Sequence, residues 1–384
     1  MDPAHDLLLK LTALPTAAGR EDAVVRFVRG WARRRERIRL GEDPSGNLTL
    51  RAVDEPGGPP LWLSAHMDHP AAVVTGVDPE DPRRVRARFL GGVRPGHMPG
   101  AKVRLHGPAG APVRGRVVAV RQGDAPGPGE RADPELELSF RRDPGAEPGG
   151  VVTWDLGGAV VRGARLHAPA CDDLAGVAAA LATLDAVSRA TPGAGAGAAP
   201  LRVLLTRAEE VGFVGAVAAC RSGTLPPGAD ARVLVLECSK ASPDAPIGSG
   251  PVVRVGDRSS TFDPGLTGAV AAAAAGLAEE TGLRWQRKLM TGGTCEATAY
   301  AAFGRVASCV CLPLGNYHNM SDREEDVLAR EVISLRDFDA MVALLTALPT
   351  RLGAAGAGGD GGLRERLEAL HAARAPLLRA IGPG

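Results

Sequence analysis

Five short stretches of this chain set metal-binding side chains directly after an apolar run. They are His66 and Asp68 in "LWLSAHMDHP", Asp172 and Asp173 in "ACDDLAG", Glu209 and Glu210 in "AEEVGFVGA", Glu237 in "RVLVLECS" and His318 in "CLPLGNYHN". Two imidazoles among several carboxylates form a mixed N/O donor set that suits zinc, cobalt or manganese. Residues two apart in a strand share a face, so His66 and Asp68 point one way while Met67 and His69 point the other. A carboxylate beside a metal-binding imidazole fixes its tautomer and raises its basicity. Of two adjacent glutamates, one can ligate a cation while the other takes a proton from activated water. Each stretch has a plainer reading, since an Asp caps a helix well and Glu237 or His318 could be solvated ends of a strand and a loop. Taken together, the five favour a site for two ions.

The elements that must position these residues follow from the hydrophobic pattern. The first forty residues read as two helices separated by the turn "LPTAAG", and "NLTLRAV" and "PLWLSAH" read as neighbouring strands joined across "DEPGGP". From about 75 to 165 short β-prone pieces such as "RVRARFLGG", "GRVVAVRQ" and "ELELSF" are punctuated by Gly and Pro, which predicts a small β domain. From 166 strands and helices alternate again, and "DVLAREVISLRDFDAMVALLTAL" closes that part as helix. The boundaries are therefore a domain of residues 1–74 and 165–350, an insert of 75–164, and a Gly-rich link with a terminal helix over 351–384. A second Gly/Ala-rich stretch, "ATPGAGAGAAP" at 190–200, reads as a surface loop. In open α/β sheets the loops at the carboxyl ends of strands converge, so the five stretches are expected in one crevice.

Charge and composition remove other classes. A net charge of +1 and only 3% aromatics speak against a nucleic-acid surface. The longest apolar stretch, "GAVAAAAAGLA", falls short of the roughly 18 residues a bilayer needs, which predicts a cytoplasmic protein with no membrane partner. The six cysteines lack C-x-x-C spacing and read as reduced, buried thiols. Glycoside hydrolysis needs carboxyls about 5–9 Å apart across the bond, which the consecutive Glu209 and Glu210 do not suggest.

With "SAHMD", "ACDDLAG", "AEEVGFVGA", "GGTCEATAY" and "LPLGNYHN" in place, and a β insert between the first two, the chain resembles the dinuclear metal aminopeptidases that include glutamyl aminopeptidase and the tetrahedral aminopeptidases. The resemblance implies an α/β fold of the zinc-peptidase type. A mixed β-sheet would be covered by helices on both faces, and a small β-barrel or PDZ-like domain would be inserted. It implies two divalent ions, zinc first and cobalt or manganese as alternatives. Asp172 would bridge them, His66 and Glu237 would complete one shell, and Glu210 and His318 the other. Asp68 would orient His66, and Glu209 would be the general base. It further implies a peptide substrate and a homo-oligomer. Three positions depart from the family's pattern: Glu237 for the usual Asp, Cys295 for an acid after Gly293 and Thr294, and His69 for an acidic residue. The last two positions, with Gly293 and Thr294, are expected at the substrate. Glu237 keeps open a deacylase or carboxypeptidase acting on acylated amino acids. A non-catalytic peptide-binding homologue would have lost a ligand or the base, and none is missing.

Overall fold

The structure is a computed structural model and describes residues 2–107, 111–123, 132–189, 198–354 and 363–374. The stretch at 190–197 and most of the Gly-rich link, 355–362, lie outside the described residues. An eight-stranded mixed sheet forms the centre. Its strands run, in spatial order, Ile38–Glu42, Leu48–Ala52, Leu201–Thr206, Leu61–His66, Gly228–Lys240, Arg305–Leu314, Val252–Gly256 and Gln286–Leu289. The four that carry the ligand loops or lie between them, from Leu201–Thr206 to Arg305–Leu314, pair in parallel.

Leu48–Ala52 and Leu61–His66 are not neighbours, contrary to the expectation of a simple two-strand unit. Leu201–Thr206 lies between them, antiparallel to the first and parallel to the second. The reason is visible in the burial. All six residues of Leu61–His66 are buried, as a strand at the middle of the sheet with both faces covered requires, whereas Arg51 of Leu48–Ala52, nearer the sheet's edge, is exposed.

Helices cover both faces. Leu63, Ala65 and Met67 face a core shared with the helices Pro3–Leu11, Asp22–Arg33, Leu174–Arg189, Pro264–Thr281 and Leu335–Ala354. The alternate residues, Trp62, Ser64 and His66, face the other way, toward the helices Val214–Ser222 and Glu296–Ala302. Local chemistry sets the helix ends. Pro264–Thr281 starts with Pro after Asp263, whose carboxylate accepts from Leu266 N, and stops at Gly282, whose φ of 74° suits glycine.

The insert is a closed six-stranded barrel of Ala71–Val77, Arg84–Leu90, Pro134–Phe140, Val113–Gln122, Lys102–His106 and Val151–Trp154. Its inward residues, among them Val74, Phe89, Leu138 and Trp154, form a core of their own. The barrel opens at Ala71, ahead of residue 75 where the sequence changes character. Val160–Arg162, Arg165–Ala168 and Glu331–Ser334 make a separate three-stranded sheet. That last strand corrects the reading of residues 326–348 as helix: the β-branched Val332 and Ile333 belong to a four-residue strand, all buried, and the helix begins only at Leu335.

Candidate metal centre

His66 ends its strand, Glu209 and Glu210 lie just past Thr206, Glu237 lies near the end of its strand, and His318 follows Leu314. Asp172 sits between Ala168 and the helix Leu174–Arg189. The fold brings these loops together. His66 Nε2 lies 3.4 Å from Asp172 Oδ1, 3.8 Å from Glu237 Oε1 and 3.9 Å from Glu209 Oε2. His318 Nε2 lies 3.5 Å from Asp172 Oδ2 and 3.5 Å from Glu210 Oε1. The two oxygens of Asp172 thus face two different imidazoles.

These separations are long for hydrogen bonds but fit donors sharing an ion, since two ligands roughly 2.1 Å from a tetrahedral ion stand about 3.4 Å apart. Asp172 Oδ1 and Glu210 Oε1 are buried without a hydrogen-bond partner, the condition a cation would relieve. His66, Glu209 and Glu237 form one group of potential ligands, and His66, Asp172 and Glu210 another.

Both histidines present Nε2 because Nδ1 is engaged. His66 Nδ1 donates to the Asp68 carbonyl at 3.1 Å, and His318 Nδ1 to the Gly92 carbonyl of the barrel domain at 3.0 Å. Asp68 therefore acts differently from the expectation. Its carboxylate stands 3.6 Å from His66 Nδ1, and instead accepts the backbone N–H groups of Glu209 at 2.9 Å and Glu210 at 3.1 Å. It fastens the Glu-Glu pair, while its carbonyl orients His66. Asp173 takes the helix-cap role: its Oδ1 accepts from Gly176 N at 3.2 Å.

His69 begins the loop that follows the strand. Its Nδ1 lies 2.5 Å from the Asp172 carbonyl and its Nε2 3.1 Å from Asn319 Oδ1, so both ring nitrogens face oxygens of the protein. Cys295, expected at the substrate, is fully enclosed among Cys309, Cys311 and Tyr300. It opens the helix Glu296–Ala302, with its N–H on the Asp257 carboxylate at 3.1 Å. Among the described residues no hydrogen bond joins Gly293, Thr294 or Cys295 to the ligand side chains. The next residue, Glu296, reaches the underside of the site instead: Ser64, two positions before His66, donates to it at 3.0 Å and contacts Tyr300 Oη at 2.7 Å.

Sequence reasoning missed Glu21, Asn319 and Glu331. Buried Glu21 holds Arg207 and the Ala208 N–H, setting up the approach to Glu209. A lone acid at the start of a helix carries no signal of that role.

The site is crowded with like charge. Burial, reinforced by Asp172, pushes Glu237 up to about 7 and Glu210 up to about 8 from the usual 4.5, and burial drives Glu209 well above its ordinary range. Burial alone would depress His318, but Glu210 and Asp172 hold it up to about 10. A cation must displace these protons, so metal affinity is expected to fall as pH is lowered through the 8-to-7 window. Stability has a matching sign. Folded values above unfolded ones favour the metal-free fold at acid pH, and that advantage is lost as pH rises through 7 and 8. The gap between melting temperatures with excess metal and with chelator should therefore widen on the alkaline side; a constant gap would contradict these protonation states.

A sequence profile described as M42 glutamyl aminopeptidase matches residues 46–344, most of the chain. The chain belongs to the M42 glutamyl aminopeptidase family. It is accordingly a metal-dependent aminopeptidase, a hydrolase of peptide bonds. No curated protein matches it significantly. Three solved structures similar to this M42 chain share its fold. An aminopeptidase from the archaeon Desulfurococcus kamchatkensis is 22% identical, with 91% of this chain and 95% of that one covered and a TM-score of 0.70. A TET aminopeptidase from a marine-sediment Thaumarchaeota archaeon is 19% identical, with 91% and 98% covered and a TM-score of 0.71. The TET1 peptidase of Pyrococcus horikoshii is 20% identical, with 91% and 100% covered and a TM-score of 0.70; it can assemble into a tetrahedron or a large octahedral shell. Among the described residues no helix of the M42 chain is long and apolar enough to cross a membrane.

Proposed function

We propose that this M42 peptidase removes N-terminal residues from short peptides with two divalent ions, zinc first and cobalt or manganese as alternatives. One observation carries the two-ion reading: the Asp172 carboxylate offers Oδ1 toward His66 and Oδ2 toward His318. In this reading Asp172 bridges, His66 and Glu237 hold one ion, and Glu210 and His318 hold the other. When bound, such ions supply a water of lowered pKa and polarise the scissile carbonyl.

The remaining work belongs to the chain. Glu209, buried beside His66 and secured through its own N–H on Asp68, takes the proton from the attacking water. It then returns that proton to the departing amine, so the group ends the cycle as it began. Asp68 keeps Glu209 and Glu210 in register with one another. The catalytic unit would comprise 1–74 and 165–350, with 75–164 inserted and 351–384 as link and helix. The similarity to the Pyrococcus horikoshii peptidase supports a homo-oligomer, and we place the enzyme in the cytoplasm.

Paired peptides test the reaction. The same sequence with a free and with an acetylated N-terminus should show cleavage of the free form alone, abolished by chelator and restored by metal. Preference for the acetylated peptide would reassign the enzyme to deacylation, the alternative that Glu237 keeps open.

A further inference from the structure

Glu331 lies outside the residues assigned to metal or proton transfer, yet it touches the backbone of two of the loops that carry them. It is fully buried on the strand Glu331–Ser334, opposite Ala168 in the antiparallel pair. Its Oε2 accepts the N–H of Cys171 at 2.7 Å and of Asp172 at 3.0 Å, and its Oε1 accepts the N–H of His318 at 2.9 Å. His318 needs such a hold. Its backbone, with those of Asn316 and Asn319, lies in the left-handed region at φ of 53°, 54° and 62°, which non-glycine residues rarely adopt. Asn319 ties the same loops a second time, donating from Nδ2 to the Pro169 carbonyl at 2.9 Å.

We propose that Glu331 is a positioning residue that assembles the Asp172–His318 half of the metal centre by clamping the two loops to each other. The inference rests on the two-ion reading above. Its chemistry is specific to a carboxyl group: three backbone donors converge on both of its oxygens, whereas an amide of the same shape would turn an NH2 toward at least one of them. Glu331 makes no contact with the His66 and Glu237 side chains among the described residues, so the ion they hold, which shares only Asp172 with the clamp, should be weakened less than the ion His318 holds.

The experiment is a titration of metal-free protein with cobalt(II), followed by calorimetry and by the ligand-field spectrum, for wild type, Glu331→Gln, Glu331→Asp and His318→Ala. Melting in chelator reports whether each variant is folded. Glu331→Gln should bind one ion within a few-fold of wild type and the second about 10–100-fold more weakly, approaching the single-ion pattern of His318→Ala. Glu331→Asp, which keeps the carboxyl group but shortens the reach, serves if the Gln variant does not fold, and should show the same selective loss. Two ions bound with unchanged affinity in a folded variant, or both weakened equally, would overturn the clamp. One ion in wild type, or two in His318→Ala, would instead bring down the two-ion reading beneath it.

Discussion

Glu209→Gln is expected to lower kcat by about 10²–10⁴-fold, the range a positioned general base contributes, while two metal ions stay bound. The amide keeps the shape of the side chain and leaves its backbone N–H on Asp68, but it cannot take a proton. The choice of this residue over Glu210 rests on their surroundings. Glu210 Oε1 faces His318 Nε2 at 3.5 Å, the spacing of two ligands on one ion, and is buried without a hydrogen-bond partner, a state in which no described oxygen of Glu209 is left. Glu209 nevertheless belongs to a group with His66 and Glu237 whose ligand atoms could surround an ion. Metal counting on the purified variant therefore decides its role. A Glu209→Gln protein that has lost an ion along with its activity would make Glu209 a ligand and leave the base to be found elsewhere.

Asp172→Ala should have the largest effect on the centre as a whole. Among the described residues its carboxylate pairs with both imidazoles, at 3.4 Å from His66 and 3.5 Å from His318. Without it each ion loses a ligand, and the two histidines lose the anion that stabilises their arrangement. Both affinities are expected to fall by more than the about 10–100-fold that removal of an outer partner costs, with activity falling to that of chelated enzyme. Asp172→Asn should do nearly the same, because one oxygen becomes a donor aimed at a cation. Metal content after dialysis against a defined free concentration checks both. Retention of one tightly held ion in Asp172→Ala would show that the oxygens do not serve two separate ions.

The contrast with Glu331→Gln is instructive for how the site is built. Asp172 acts through its side chain and Glu331 through other residues' backbones. One should remove the centre and the other unbalance it.

Much of the site was legible in sequence because its donors end apolar runs. A His or Glu after four or five strand residues is placed by the strand itself, and parallel strands deliver their ends to one edge of the sheet. His66, Glu237 and the Glu209–Glu210 pair are positioned in that way. Face alternation likewise separated His66 from Met67, which packs in the opposite core. It does not reach His69, which begins the loop, because the strand ends at His66. Cys295 is placed at the substrate by its position in "GGTCEA", a match of sequence that cannot show its burial ahead of the helix Glu296–Ala302 with its N–H on the Asp257 carboxylate.

By itself, then, the sequence determined which residue types stand at which strand ends, the alternation of an α/β domain around a β insert, and the donor set for a divalent metal. Only the tertiary structure decided the order of strands in the sheet, the division of Asp172 between two histidines, and the clamp at Glu331. The physical reason is range. Strand and helix periods reflect neighbours a few residues away, whereas Glu331 accepts the N–H of a residue 160 positions distant, and a hydrogen bond of that span leaves no period in the chain that makes it.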